Sequence, residues 1–234
     1  MTNKVDFQTF LYLNHNQIII YVAEILTNEK IYSEKLEIEE NSKEFKFSKL
    51  DEFLNINVFK IEKKLNNFIK DMYVILDSNE FHSIKLSIKK NNNGNLINSE
   101  TLIHPLNDLK SLCQSNLQNK KIIHFLIEKY LIDNKFYTTL PENVNCNIFS
   151  LDTEFICLSK NLIENIEKIL KKYHISLIQI LSASYVEKFK DNTDNTIFTT
   201  ASRIISGHNS NEVLLTGKIT KKQGFFERFF NFFN

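Results

Sequence analysis

The chain has 234 residues, 42% of them apolar, so it can bury a substantial core in one large domain or two small ones. Its 29 basic and 28 acidic side chains nearly cancel, which gives no general attraction to nucleic acid. The three cysteines, Cys113, Cys146 and Cys157, form no CxxC pair, which fits a reducing compartment rather than a disulfide framework or a zinc site.

The first part of the chain reads as alternating strands and helices. Residues 7–13 and 17–26 are joined by the polar turn NHN, which indicates a hairpin. A charged connector precedes VFKIEKKLNNFIK, whose apolar spacing is that of an amphipathic helix. The predicted elements of this part are strands at 7–13, 17–26 and 30–38, a helix at 58–70 and a strand at 72–77.

The early stretch IIIYVA at 18–23 is the most apolar of this region, yet it is far shorter than the ~20 residues of a membrane span. The beginning of the chain also lacks the basic-then-apolar pattern of a signal peptide. We therefore expect neither export nor a membrane-spanning segment.

A smaller unit is predicted over residues 82–159, in the order strand, helix, strand, strand. FHSIKLSIKK alternates as a strand, and PLNDLKSLCQSNL is predicted as a helix with Pro105 in its first turn. KIIHFLIEKYLI and NIFSLDTEFICLS supply the other two strands. A helix at 161–173, the strand HISLIQIL and the start of a helix in SASYVEKF complete an α/β alternation that ends near residue 190.

Residues 191–223 are predicted as a flexible linker because Asn, Thr, Ser and Lys predominate there. The last segment, residues 224–234, is GFFERFFNFFN. On a helix at about 100° per residue its six phenylalanines fall within an arc of roughly 160°. This segment is therefore predicted as an amphipathic helix.

The order of these elements resembles the bacterial actin-like cell-division protein FtsA. The family carries a strand of the form H-V-I-P-x-x-Y-x-I-D-G in an inserted subdomain, and IIHFLIEKYLIDNK is similar to it. LSASY at 181–185 resembles the family's L-A-S-[SA] turn. The matching residues of the strand are His124, Tyr130, Ile132 and Asp133, while Ile127 replaces the proline and Asn134 the glycine.

Two departures from the family concern nucleotide. The family opens with G-L-D-I-G-[ST], whose aspartate serves the metal and whose glycine serves the phosphates, but Tyr12 and Asn14 stand at those positions. A phenol cannot replace a carboxylate on magnesium. The family's second lobe, with its glycine-rich phosphate and adenosine motifs, has no counterpart, and the chain contains only four glycines.

The resemblance thus implies an α/β (α+β) fold: an actin-like, ribonuclease-H-like first lobe with an inserted subdomain, and no second lobe. The lobe comprises 1–81 and 160–190, the insert 82–159, the linker 191–223 and the terminal helix 224–234. We expect no enzyme activity, no cofactor, no metal site and no catalytic residue. The alternative to a protein without enzyme activity is half of a split actin-like ATPase, in which a separate chain supplies the missing lobe.

The terminal segment is predicted to bind the membrane surface, because an apolar face beside basic residues suits an anionic lipid interface. Docking on the protein's own core and dimerisation through the phenylalanines are the alternatives. The predicted membrane-binding residues are Phe225, Phe226, Phe229, Phe230, Phe232, Phe233, Lys221, Lys222 and Arg228.

The resemblance also implies a place in the cell. We expect a cytoplasmic protein attached peripherally to the inner membrane at the division site, with other division proteins as partners, including a full-length FtsA. Direct FtsZ binding is not expected, since the lobe that receives FtsZ is missing. A PilM-like adaptor of pilus assembly is the other actin-like alternative.

Several isolated residues receive structural interpretations. His124 and Tyr130 are predicted to be structural, and Ser182 and Ser184 to cap a helix. Asp152 and Glu154, two residues apart on a strand, point to the same side and are predicted to lie on a solvated sheet face rather than in an acid–base site.

Overall fold

The structure is a computed structural model, and it describes residues 6–38, 45–191 and 196–213. The described residues fall into two compact units. Those within Met1–Asn79 and Asn161–Ser202 form unit 1, and those within Glu80–Lys160 and Arg203–Asn234 form unit 2.

The predicted mixed α/β class is confirmed, since strands and helices alternate in the described residues. The strands are β1 Phe7–Leu13, β2 Gln17–Glu24, β3 Lys30–Glu37, β4 Asp71–Leu76, β5 His82–Asn91, β6 Leu96–Ile97, β7 Lys120–Ile132, β8 Lys135–Tyr137, β9 Val144–Asn145, β10 Ile148–Ser159 and β11 Ser176–Ser182. The helices are α1 Phe47–Leu65, α2 Ser99–Asn116, α3 Lys160–Lys172, α4 Ala183–Lys188 and α5 Ile197–Ile205.

Unit 1 is built on a five-stranded sheet in the order β11-β4-β1-β2-β3. Strands β1, β2 and β3 form an antiparallel meander, whereas β4 and β11 run parallel to β1. The carboxyl ends of β1, β4 and β11 therefore meet at one edge of the sheet. Strand β1 is central and bonded on both sides.

One face of this sheet is covered by α1 and α3. Tyr32, whose register partner is Val22, donates a hydrogen bond of 2.8 Å to Asn57 Oδ1 on α1. Ile166 of α3 lines a small cavity together with Leu13 and Ile18 of the same face. Apolar side chains of two helices thus bury the odd-numbered side chains of β1.

Unit 2 is built on an antiparallel sheet in the order β5-β10-β7-β8, with α2 packed on one face. Leu102, Leu106 and Leu109 of α2 share a core with Phe125 and Phe155, whose rings stack at 4.1 Å between centroids. The predicted strand-helix-strand-strand arrangement is confirmed, with short strands added between its members.

The two helices α1 and α2 begin earlier than predicted. Helix α1 begins at Phe47 instead of residue 58 because Leu50, Leu54 and Ile61 continue one buried stripe, and the charged residues between them face solvent. The connector predicted up to Asp51 is therefore partly helical.

Helix α2 begins at Ser99, so Pro105 lies inside the helix and not in its first turn. The start is fixed by Asn98, whose Oδ1 accepts the Thr101 N–H at 3.0 Å, while Thr101 Oγ1 accepts the Asn98 N–H at 3.4 Å. This reciprocal capping box is a stronger start signal than the proline.

The linker prediction is wrong for residues 196–213. Helix α5 covers the second face of the unit 1 sheet, where the Phe198 ring stacks on Tyr21 with centroids 4.4 Å apart and lies 6.1 Å from Phe10. Apolar residues at 198, 201 and 204 have helical spacing, and all three are buried. This apolar stripe is short, and Asn and Thr predominate in the surrounding sequence, so composition alone indicated a linker.

Residues after α5 also have a fixed place, alongside β7 in unit 2. The Ile127 N–H donates to Asn211 O at 2.9 Å, and the Val213 N–H donates to Phe125 O at 2.8 Å. These bonds extend the edge of β7 beyond β8, and Val213 is buried. Residues 214–223 of the predicted linker and the predicted terminal helix lie outside the described residues.

We expect Phe198→Ala to lower the free energy of unfolding by about 3 kcal/mol, because it removes a buried ring that covers a sheet face. Urea denaturation followed by circular dichroism measures the change. Phe136→Ala is the matched control, since that ring is 71% exposed and its loss should cost less than about 0.5 kcal/mol. Equal, small effects of the two substitutions would contradict the role given to α5.

Candidate functional site

The site at which the sequence resemblance expects nucleotide is the edge formed by the carboxyl ends of β1, β4 and β11. Open sheets with parallel strands bind ligands at such an edge. Tyr12 and the turn after Leu13 come from β1, Asp77 follows β4, and Ser182 ends β11. The Asp77 N–H donates to Leu13 O at 2.8 Å and holds the ends of β1 and β4 together.

Tyr12 is bonded to two polar neighbours at this edge. Its hydroxyl donates to Asp77 Oδ2 at 3.1 Å and accepts from Asn14 Nδ2 at 3.4 Å. Burial, together with the adjacent Asp77 carboxylate, raises the pKa of Tyr12 from 10.0 to about 12. The phenol therefore stays protonated at neutral pH, and it donates to one of the two oxygens of the Asp77 carboxylate.

The turn between β1 and β2 is closed by the side chain of Asn14. Asn14 Oδ1 accepts the backbone N–H groups of Asn16 at 2.9 Å and Gln17 at 2.7 Å, forming an Asx-type turn. None of residues 14–16 has a positive φ. Backbone N–H groups bind phosphate only when they point outward and are free, and here two of them already donate to Asn14.

The two serines of the LSASY turn bond to one another, with Ser182 Oγ and Ser184 Oγ 2.9 Å apart. Ser182 occupies the N-cap position of α4, but its side chain makes no capping hydrogen bond. The capping role predicted for these serines is therefore not the one they have.

The carboxylates of β10 receive hydrogen bonds from β5 in unit 2. Ser87 Oγ donates to Asp152 Oδ1 at 2.6 Å, and Ser83 Oγ donates to Glu154 Oε1 at 2.5 Å. Both carboxylates point to the same side, as predicted, but Glu154 is only 7% exposed and so is not solvated. Its partners identify it as a cross-strand structural group.

His124 belongs to a buried pair that joins residues far apart in sequence. Its Nδ1 lies 2.7 Å from Glu212 Oε1, and both side chains are almost fully buried. Tyr130, also buried, donates to Asn211 Oδ1 at 3.3 Å. These contacts fasten residues 211–212 to β7, which agrees with a structural role. Within the described ranges no cluster of three His, Cys, Asp or Glu side chains could hold a metal ion.

Unit 2 also contains a cavity of about 520 Å³. Apolar side chains, among them Leu96, Leu140 and Ile204, form its walls, and the amides of Asn98 and Asn143 line its rim. The volume is within the range of about 300–1,000 Å³ seen for ligand pockets. Glu142 and Glu212 also line the cavity, so its wall combines apolar, amide and carboxylate side chains.

The predicted membrane-binding residues, Lys221 to Phe233, lie outside the described residues. No helix within residues 6–38, 45–191 and 196–213 is long and apolar enough to span a bilayer.

Two features at the carboxyl ends of β1 and β4 were not predicted from the sequence: the position of Asp77 beside Tyr12, and the hydrogen bonds that Asn14 Oδ1 accepts. The sequence signal for the first is the aspartate that ends the apolar run MYVILD. The signal for the second is an asparagine at the start of a tight turn.

No protein-family model matches the chain, and no curated protein matches it in sequence. One similar solved structure is the cytoplasmic domain of EpsL, an inner membrane component of the type II secretion system of Vibrio cholerae. It has 12% sequence identity and a TM-score of 0.41, and the match covers 80% of this chain and 61% of that chain.

Two further similar structures are a PilM–PilN type IV pilus biogenesis complex and a protein of Bacteroides thetaiotaomicron with an actin-like ATPase fold and unknown function. The first has 5% identity and a TM-score of 0.45, covering 76% of this chain and 48% of that chain. The second has 14% identity and a TM-score of 0.34, covering 80% of this chain and 57% of that chain. The chain thus spans about half to three fifths of the length of the three structures, none of which is described as an FtsA.

Proposed function

We propose that this chain is an actin-like adaptor that does not hydrolyse nucleotide and that acts through protein contacts at the cytoplasmic face of the bacterial inner membrane. The observation that carries the proposal is the closed β1–β2 turn. Asn14 Oδ1 accepts two turn N–H groups, and the neutral Tyr12 phenol donates to Asp77. These bonds occupy two backbone donors and one carboxylate oxygen at the place where Mg-ATP would have to be held.

Opening this turn for phosphate would cost free energy before any ligand contact is made. Each N–H···O bond to Asn14 contributes about 1 kcal/mol, and a residue other than glycine resists positive φ. Asn14, His15 and Asn16 include no glycine. A site that must first break its own hydrogen bonds is a poor receptor for nucleotide.

The membrane part of the proposal rests on the sequence of residues 221–233. Each phenylalanine could contribute about 1.5 to 3 kcal/mol if it were fully buried in lipid. Ordering a segment of this size costs on the order of 1 kcal/mol per residue. One tail alone would therefore bind reversibly, and stable attachment needs further contacts or several tails in one assembly.

The finer proposal is a role in cell division, and it rests on the FtsA resemblance of unit 2. Of the residues that match the family's strand motif, His124, Tyr130 and Ile132 lie in β7, and Asp133 is in the turn that directly follows it. Unit 2 would be the part presented to division proteins, among which a full-length FtsA is the first candidate. Its cavity, lined by apolar side chains together with amides and the carboxylates of Glu142 and Glu212, is the place proposed for a peptide of such a partner.

We expect Mg-ATP to leave the melting temperature of the protein unchanged, because the turn donors are already bonded. A thermal-shift titration with Mg-ATP and Mg-ADP measures this, with an intact actin-like ATPase as the positive control. A ligand at 100 times its Kd would stabilise the folded protein by about 2.7 kcal/mol. A saturable rise in melting temperature would refute the absence of nucleotide binding.

We expect Phe226→Glu combined with Phe230→Glu to release the protein from vesicles that contain anionic lipid. The substitutions place two charges in the apolar face of the predicted helix, and burying a charge in lipid is unfavourable. Co-sedimentation of the full chain measures the effect. Asn231→Glu, on the polar face, is the matched control. Equal sedimentation of both variants and the wild type would count against the tail as an anchor.

We expect a fluorescent fusion of the full chain to gather at division sites and to co-purify with division proteins. The reason is that unit 2 carries the residues that match the family's strand motif. Imaging and affinity purification from the native host measure this. If pilus components were recovered instead, the division role would be refuted in favour of the PilM-like alternative, and the adaptor proposal would still hold.

A further inference from the structure

The exposed apolar side chains of unit 1 are concentrated at one end of it. The amino ends of β1 and β4 lie at the sheet edge opposite Tyr12, and Ile25 bonds to Asp6 there at 3.0 Å. The end of α1 is held at the same edge, since Lys64 Nζ donates to Ile31 O at 2.6 Å. The large apolar side chains that unit 1 exposes in its described residues are Ile25, Leu26, Ile56, Phe59 and Phe68.

Three of these side chains belong to α1 or directly follow it. Ile56 is 56% exposed, Phe59 71% and Phe68 73%, whereas the opposite stripe of the helix is buried against the sheet. Positions 56, 59, 60 and 63 share the outward side of the helix. Ile56 and Phe59 lie one turn apart on this side, and Phe68 follows the end of the helix by three residues; exposed apolar side chains grouped in this way indicate an interaction site.

Exposed lysines are frequent in the same segment of the chain. Residues 56–70 contain four lysines and one glutamate. That glutamate, Glu62, already accepts the Ile69 N–H at 3.1 Å, and Glu52 on the same helix is paired with Lys49 at 2.9 Å. We name this set the α1 surface: Ile56, Phe59, Lys60, Lys63, Phe68 and Lys70.

We propose that the α1 surface is a second lipid-binding site, one that lays phenylalanines into the interface of an anionic bilayer while its lysines reach the headgroups. Outward side chains on a helix form a convex row, whereas domains that bind peptides or helices use grooves. A convex row that mixes aromatic and lysine side chains is the arrangement found in proteins that lie on membranes. The exposed Lys60, Lys63 and Lys70 give it a positive charge that complements anionic lipid, with Asp71 as the acidic residue next to Lys70 in the sequence.

This inference rests on the proposed membrane attachment and supplies what that attachment lacks. A single weak anchor gives only marginal binding, and stable attachment takes two signals. With the α1 surface engaged, binding of the tail becomes the second, intramolecular step of a bivalent contact. When the α1 surface and the tail both bind the bilayer, the orientation of unit 1 on the bilayer is also fixed. Binding of the tail alone would not fix it.

The first test uses the full chain and vesicles of phosphatidylcholine with about 30% phosphatidylserine, the kind of surface that attracts lysine clusters. We expect Phe59→Glu combined with Phe68→Glu to lower the vesicle partition coefficient by about tenfold or more, as loss of one arm of a bivalent contact does. Phe136→Glu is the matched control, since Phe136 is also 71% exposed but lies in unit 2. It should bind like the wild type. Circular dichroism and melting temperature confirm that all variants fold.

The second test reports insertion directly. The chain has no tryptophan, so Phe59→Trp and Phe136→Trp each introduce a single fluorophore. We expect the emission of Trp at position 59, and not at position 136, to shift to the blue when vesicles are added. The proposal would be overturned if the emission at position 59 did not shift while the protein was bound to vesicles. It would also be overturned if Phe59→Glu abolished self-association or binding of a protein partner and left the vesicle partition coefficient unchanged.

The two proposals can fail separately. If Phe226→Glu with Phe230→Glu abolishes binding and the α1 variant does not weaken it, the α1 surface is refuted and the tail anchor stands. If the α1 variant weakens binding and the tail variant does not, the tail anchor is refuted and the α1 surface stands. Absence of vesicle binding by the wild-type chain refutes both.

Discussion

The structure of unit 1 depends on the burial of β1 on both of its faces. Its side chains alternate between Leu11 and Leu13 on one face and Phe10 and Tyr12 on the other, and hydrogen bonds to β2 and β4 occupy both of its edges. Such a strand is stable only when each face of the sheet is covered. Helices α1 and α3 cover the first face, and the Phe198 ring of α5 covers the second, so residues beyond 190 are part of the fold.

The end of the same strand decides the chemistry of the site. Because β1 continues into a turn without glycine, the backbone N–H groups after it are satisfied by the nearest acceptor, which is Asn14 Oδ1. The phenol of Tyr12 then finds its acceptor in Asp77. Polar groups at the edge of the sheet that could meet a ligand are thereby bonded to one another, and the proposed adaptor role rests on this observation.

The two proposed membrane contacts have complementary physical properties. The tail contributes six phenylalanines, whereas the α1 surface contributes fewer apolar side chains, which lie on or just after a helix that is already folded. A preordered contact loses little conformational entropy, so even three apolar side chains are useful when a second segment raises their effective concentration. Unit 2, with its buried His124–Glu212 pair and its cavity, remains available for protein partners.

The sequence by itself determined the local structure. The alternation in FHSIKLSIKK predicted β5 and the helical stripe in NLIENIEKIL predicted α3, because each pattern depends only on neighbouring residues. Only the tertiary structure decided that α5 covers a sheet face and that Glu212 bonds His124, 88 residues away. Such contacts depend on which faces and edges the rest of the fold leaves open, and no local pattern of residues contains that information.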